Sequence, residues 1–220
     1  MKRVFSFAFL FFTVFFYGQK TYFFDYLIEY ESKRSESEKA KTVYLLTNSK
    51  DNSYHVIAHE YNDAVINLYF RDVKGLYSSS AVHKNGFFMA ENIDVPCESV
   101  RSRKVKSYVK MFDFMVNADT LIQNQKYRNY SMQYRKERDS KKYKQGKSYY
   151  IIEQNTEFHK PLLLFSTVFD VLVTSEIFPN GIAKEMYNSS KFGIKSYYKL
   201  LKYTKVNKTI TIPNCPKLQP

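Results

Sequence analysis

A histidine close to carboxylates is a common arrangement for moving protons, and one stretch of this chain offers it. Glu153-Gln154-Asn155-Thr156-Glu157-Phe158-His159 carries two carboxylates and an imidazole. Glu153, Glu157 and His159 are therefore the candidate acid–base groups, of the kind a hydrolase acting on a polymer would use. Glycoside chemistry would need both carboxylates to face one cleft within roughly 10 Å. No nucleophile or oxyanion-hole motif accompanies them. The same residues also read as a polar loop, with Asn155 and Thr156 in turn roles.

His55 and His59 have the i, i+4 spacing of a helical metal site. They sit, however, in Tyr54-His55-Val56-Ile57-Ala58-His59, which reads as a strand. On a strand they would lie roughly 13 Å apart at ~3.3 Å per residue, beyond the reach of one ion. No Glu follows His55, as a zinc-protease motif would require. Neither a metal nor a cofactor is expected.

Two clusters are basic. Arg101, Arg103, Lys104, Lys106 and Lys110 interleave with Tyr108. Arg135, Lys136, Arg138, Lys141, Lys142, Lys144 and Lys147 surround Tyr143, opposed by Glu137 and Asp139. Arg101, Arg103, Lys104, Arg135, Lys136, Arg138, Lys141 and Lys142 are the candidate anion-binding residues. Cations interleaved with aromatics suit an anionic glycan or lipid, and a partner protein is a further candidate. Lysines on a hairpin that keep a strand edge from pairing explain the same pattern. No recognised nucleic-acid module accompanies the charge, so no specific nucleic-acid partner is expected. The net charge of the whole chain is +13. That balance favours non-specific association with anions and says nothing of the fold.

These groups must be positioned by a chain whose dominant pattern is alternation. Tyr22, Phe24, Tyr26, Ile28 and Tyr30 fall on every second position, with Asp25 and Glu29 between them. Period two in aromatic and β-branched residues marks a half-buried strand. Strand-like runs recur at 42–47, 53–61, 64–70, 76–83 and 87–93, separated by turn clusters such as Asn48-Ser49-Lys50-Asp51-Asn52 and Lys84-Asn85-Gly86. Further candidates are 106–116, 119–122, 126–135, 147–154, 183–188, 196–206 and 209–212. Strands about ten residues apart predict an antiparallel meander forming a curved sheet or open barrel. The fold class is mainly β, or α+β at most. One helix is expected at 161–176: Pro161 suits its first turn, and Leu162, Phe165, Phe169 and Leu172 share a helical face.

The first residues differ from the rest. Met1-Lys2-Arg3 precedes an almost wholly apolar run from Val4 to Tyr17. That layout is a secretory signal, shorter than the roughly 20 residues a membrane span needs. Residues 1–18 are expected to be a signal peptide cleaved after Gly18 or nearby, leaving 19–220 as one β-rich domain, periplasmic or secreted. No later apolar run has spanning length. In an exported protein the pair Cys97 and Cys215, each beside a proline, is expected to form a disulfide.

The leader ending Tyr17-Gly18-Gln19, with Asn48-Ser49-Lys50-Asp51-Asn52-Ser53-Tyr54 and Tyr69-Phe70-Arg71-Asp72 between strand-like runs, resembles uncharacterised exported proteins of flavobacteria and their relatives. The resemblance implies export and brings no catalytic motif. Three functions remain open. A non-enzymatic envelope or secreted protein would bind an apolar or amphipathic ligand, or a partner, on its curved sheet. A hydrolase would use Glu153, Glu157 or His159 on an envelope polymer. A small outer-membrane barrel would use the strands to cross the membrane.

Overall fold

The computed structural model describes residues 19–33, 38–104, 109–143, 146–162, 178–189 and 195–215. The expected signal peptide at 1–18 lies outside them, as does the expected helix at 161–176 apart from Pro161 and Leu162.

Five strands open the chain: β1 (Lys20–Lys33), β2 (Lys41–Thr47), β3 (Tyr54–Glu60), β4 (Val65–Asp72) and β5 (Leu76–His83). The short helix α1 (Lys84–Met89), β6 (Asn92–Asp94) and β7 (Val100–Ser102) follow. Then come β8 (Phe112–Val116), the hairpin β9 (Thr120–Ile122) and β10 (Gln125–Tyr127), and β11 (Asn129–Tyr134). Helix α2 (Glu137–Tyr143), β12 (Lys147–Ile152), β13 (Ala183–Ser189) and β14 (Lys195–Ile212) complete the order.

The main sheet runs β7-β5-β4-β3-β2-β1-β14-β13-β12-β11-β8, antiparallel throughout, with β6 added in parallel beside β14. It is the mainly β, antiparallel, curved sheet that the alternation predicts. The outermost strands β7 and β8 do not pair with each other, so the sheet is not the closed barrel that an outer-membrane reading requires. Curvature follows from chain length. Laid flat, eleven strands at about 4.8 Å spacing would set the two edges about 48 Å apart. The ten residue steps from Ser102 to Phe112 reach about 36 Å at most. The edges must therefore lean towards each other.

Two apolar cores lie on opposite faces of the sheet. In β2 the side chains alternate between them: Tyr44 and Leu46 enter the first core, Val43 and Leu45 the second. A strand buried on both faces reads as a continuous apolar run, as Val43-Tyr44-Leu45-Leu46 does. The first core gathers Val56, Ala58, Ile66, Leu68 and Phe70, capped by Phe87, Ile93 and Val95. The second gathers Ile28, Tyr30, Met132, Tyr150 and Met186, with Leu162, Phe178 and Ile182.

Strand β1 serves both. Its even-numbered residues were expected on one face. A register shift between Phe24 and Tyr26 instead passes them from one core to the other. Phe24 packs in the first core, and Tyr26, Ile28 and Tyr30 in the second.

Other boundaries also differ from expectation. Phe87 opens no strand, because residues 84–89 are helical and the strand shrinks to β6. In a strand, Phe87 and Phe88 would point to opposite sides. The helical turn brings both rings against Tyr44, at 5.9 and 5.2 Å. The Lys208 ammonium donates to the carbonyls of Phe88 and Ala90, closing the end of this helix. The runs 196–206 and 209–212 form the single strand β14, and the basic stretch after Arg135 contains α2.

The expected disulfide is present. Cys97 and Cys215 are bonded, with Cα atoms 5.6 Å apart, and join the turn after β6 to the segment after β14. Among the described residues, no helix is long and apolar enough to cross a membrane.

Candidate functional site

On strands β3 to β5 one face is committed to the first core. The alternate positions form the other face. Cross-strand register sets His55, Arg71, Tyr77 and Arg101 in one row over β3, β4, β5 and β7. The neighbouring row is Ile57, Tyr69 and Ser79. Ile57 packs against the second core, and among the described residues that core takes no side chain from β4 or β5. The result is a depression of about 500 Å³ lined by His55, Ile57, Tyr69, Arg71, Tyr77 and Arg103. Tyr69 and Tyr77 remain 43% and 38% exposed, large for aromatic side chains in mid-sheet.

The turn between β4 and β5 holds these strands in register. Asp72 accepts the Leu76 amide at 2.9 Å and the Tyr22 hydroxyl at 2.7 Å. Gly75 provides the left-handed residue (φ 94°) that the turn needs. Its carbonyl accepts the Arg103 amide at 3.0 Å, which fixes the backbone at the rim of the depression.

At its floor His55 is buried, and desolvation lowers its pKa to about 4. Near neutral pH it is an uncharged group in register with Arg71. His59, four residues on, stands edge-on to Tyr69 with ring centroids 5.8 Å apart. Among the described residues, no three His, Cys, Asp or Glu side chains come together to hold a metal.

The acid–base candidates are divided. Glu153 and Glu157 line a separate polar cleft of about 300 Å³ with Asp119, Lys126 and Arg128. Glu153 accepts from the Lys184 ammonium at 2.8 Å, and that ammonium also lies 4.7 Å from the centre of the Tyr127 ring. His159 does not line this cleft. It is buried beside Tyr26, with Nε2 2.8 Å from the Thr47 hydroxyl and Nδ1 2.5 Å from the Lys160 carbonyl. A carbonyl only accepts, so Nδ1 carries the proton and Nε2 accepts from Thr47. Burial lowers the His159 pKa, opposed by the Lys160 carbonyl and the charge of Asp25. The imidazole clamps the 153–160 loop to β2 and leaves no nitrogen for chemistry in the cleft.

The loop is closed just as tightly elsewhere. The Thr156 hydroxyl donates to the Glu153 carbonyl at 2.8 Å and accepts the Ile182 amide at 2.9 Å. Gly181 has φ +138°, and a Cβ there would sit 2.5 Å from Ile152 Cγ2. Gly181→Ala is therefore expected to cost about 2 kcal/mol through overpacking and backbone strain, read as a lowered thermal midpoint. An unchanged midpoint would show that the loop relaxes freely.

The anion candidates are also separated. Arg101, Arg103 and Lys104 lie at the β7 margin, whereas Arg135, Lys136, Arg138, Lys141 and Lys142 lie beside β11 near the opposite margin. The second group is partly balanced by its own acids. Arg135 meets Asp113 at 2.8 Å, Lys141 meets Glu137 at 3.3 Å, and Arg138 meets Asp139 at 3.7 Å. Exposed pairs of this kind contribute at most about 1 kcal/mol each. In the first group the Arg101 guanidinium donates to the carbonyls of Glu98 and Val100. Arg103 lines the depression, where it is joined by Arg71, a residue absent from both basic clusters of the sequence. The available signal was parity: Tyr69 and Arg71 are two apart on a strand and share a face.

No protein-family model matches the chain. No curated protein matches it either. Solved structures with a similar course include an uncharacterized conserved protein from Thermus thermophilus, with TM-score 0.45, 4% identity, and coverage of 84% of this chain and 80% of that one. The Pseudomonas aeruginosa MucA/MucB complex gives TM-score 0.40 and 8% identity, with 84% of this chain spanning 52% of that chain. A DUF1329 family protein from Desulfovibrio piger gives TM-score 0.30 and 7% identity over 85% of this chain and 86% of that one.

Proposed function

We propose that this is an exported, non-enzymatic binding protein of the cell envelope, which holds an amphipathic ligand on the outer face of β3 to β5. One observation carries the reading: a depression of about 500 Å³, walled by Ile57, Tyr69 and Tyr77, in a face that the described residues of the cores leave uncovered. Its size is within the range of small-molecule sites, which are mostly apolar with a few placed polar groups. The leader-like first residues and the Cys97–Cys215 bond support export, because such bonds persist in oxidising compartments.

The test is a titration with the uncharged dye N-phenyl-1-naphthylamine. The expected result is a saturable rise in dye fluorescence with one site per chain. Tyr77→Ser, which removes an exposed wall without touching a core, is expected to weaken binding about tenfold, the loss of one well-packed aromatic contact. A linear, unsaturable signal, or a Tyr77→Ser protein that binds as well as the parent, would overturn the reading.

A further inference from the structure

We propose that the polar cleft between the β9–β10 hairpin and the 153–160 loop is a second binding site, for an uncharged saccharide. It shares no described lining residue with the depression on β3 to β5.

The groups gathered in the cleft favour a ligand rich in hydroxyls and free of net charge. Asp119, Glu153 and Glu157 bring carboxylates, and Lys126 and Arg128 bring cations, into one space of about 300 Å³. A singly charged ligand would meet its own sign there as well as the opposite one. A sugar hydroxyl both donates and accepts. It bonds to a carboxylate through its hydrogen and to a guanidinium or ammonium through its oxygen, and hydrogen bonds to charged groups are the stronger kind. The side-chain amides of Gln154, Asn155 and Asn180 line the same space, and each offers donors and an acceptor. Ile152 and Pro179 add apolar surface for the C–H face of a sugar ring. An alkyl chain would strip water from these polar groups without replacing its hydrogen bonds, which is costly.

The walls are held in place by the protein itself. The Lys126 ammonium lies 3.3 Å from the Asp119 carboxylate. The Gln154 side-chain amide donates to the Lys126 carbonyl at 2.7 Å and so ties the loop to the hairpin. Glu153 accepts the Gln154 backbone amide at 2.9 Å as well as the Lys184 ammonium at 2.8 Å. Left-handed residues shape both segments: Gln123 and Asn124 at the hairpin tip, with φ 50° and 63°, and Asn155 in the loop, with φ 59°. Groups already ordered lose little freedom when a ligand binds. Arg128 and Glu157 are exposed, so both can be replaced without disturbing a core. The volume is at the lower end of the range of small-molecule sites, which suits a short saccharide.

The experiment is an amide NMR titration of the isotope-labelled protein with glucose, galactose and mannose, each beside its own uronate and its own amino sugar. At least one neutral sugar is expected to shift the Gln154, Asn155 and Asn180 signals saturably, with a dissociation constant on the order of 1 mM. It is expected to bind at least about fivefold tighter than its uronate and its amino sugar, each of which sets a charge beside its like. Arg128→Ala with Glu157→Ala is expected to weaken that binding about tenfold and to leave the signals of the cores unchanged.

Equal or tighter binding of a uronate or an amino sugar would overturn the uncharged ligand. A double variant that binds the sugar as the parent does would overturn the site. Shifts that never saturate, or no shift with any of the neutral sugars, would overturn the proposal as a whole. None of these results touches the reading of the depression, which the dye titration tests separately.

Discussion

Replacing Cys97 and Cys215 together by serine is expected to lower the stability of the protein by about 4 kcal/mol. The cysteines are 118 residues apart in sequence, so the bond closes a loop covering more than half of the chain. In the chain-entropy description a cross-link acts on the unfolded ensemble, and a loop of about 100 residues contributes close to 5 kcal/mol. The native segments it joins are already held together. β6 pairs with β14, and the Val95 amide donates to the Thr211 carbonyl at 3.0 Å. The serine variant should therefore keep the same native structure and lose mainly the restraint on its unfolded chain. For a domain of this size the thermal midpoint is expected to fall by roughly 10 °C. Calorimetry of the parent, with and without reductant, and of the variant would measure it. Equal midpoints for the oxidised parent and the variant would show that the bond adds no stability.

The second large effect is with acid. His55 is buried and its pKa is lowered from 6.5 to about 4. Above pH 6.5 the imidazole is neutral in both the folded and the unfolded chain, and its contribution to stability is fully present. Between pH 6.5 and about 4 the unfolded chain binds a proton that the folded protein refuses, so stability falls as pH falls. Below pH 4 both states are protonated and the slope from this residue ends. The total loss across that window is about 3 kcal/mol. His159, also lowered by burial, contributes in the same direction. Urea unfolding at a series of pH values from 7 to 4 should show the decline. His55→Asn should remove most of it, although carboxylates continue to contribute at the acid end. A variant with the same pH slope as the parent would place the acid sensitivity elsewhere.

Much of the architecture is legible in the sequence because an antiparallel meander is locally encoded. Alternation in Tyr22–Tyr30 and turn clusters such as Asn48–Asn52 speak for neighbouring strands without reference to the rest of the chain. What escapes such reading is non-local. No local pattern shows that β1 pairs with β14, or that a register shift near Asp25 passes its side chains between two cores. Phe87 and Phe88 have strand-like propensities, yet packing on Tyr44 makes them helical, a case of tertiary context overriding propensity. The candidate site divides in the same way. His159 reads as an acid–base group from its neighbours in sequence, whereas its partners Thr47 and Asp25 are more than a hundred residues away. Arg71 reads as an ordinary surface residue until β5 and β7 bring Tyr77 and Arg103 beside it.

The pairing of β1 with β14 also sets the order in which the molecule can be completed. The first and last of the described strands meet in the middle of the sheet, Lys20 opposite Ile212. A chain emerging from the ribosome or threading through a pore can fold β1 to β5 as a meander early. It cannot close the centre until β14 has appeared. Pairings this distant in sequence are slow to form. The unfinished β1 edge is meanwhile a template for other strands. Completion of the sheet's centre is thus postponed until β14 has been delivered, some 190 residues after β1.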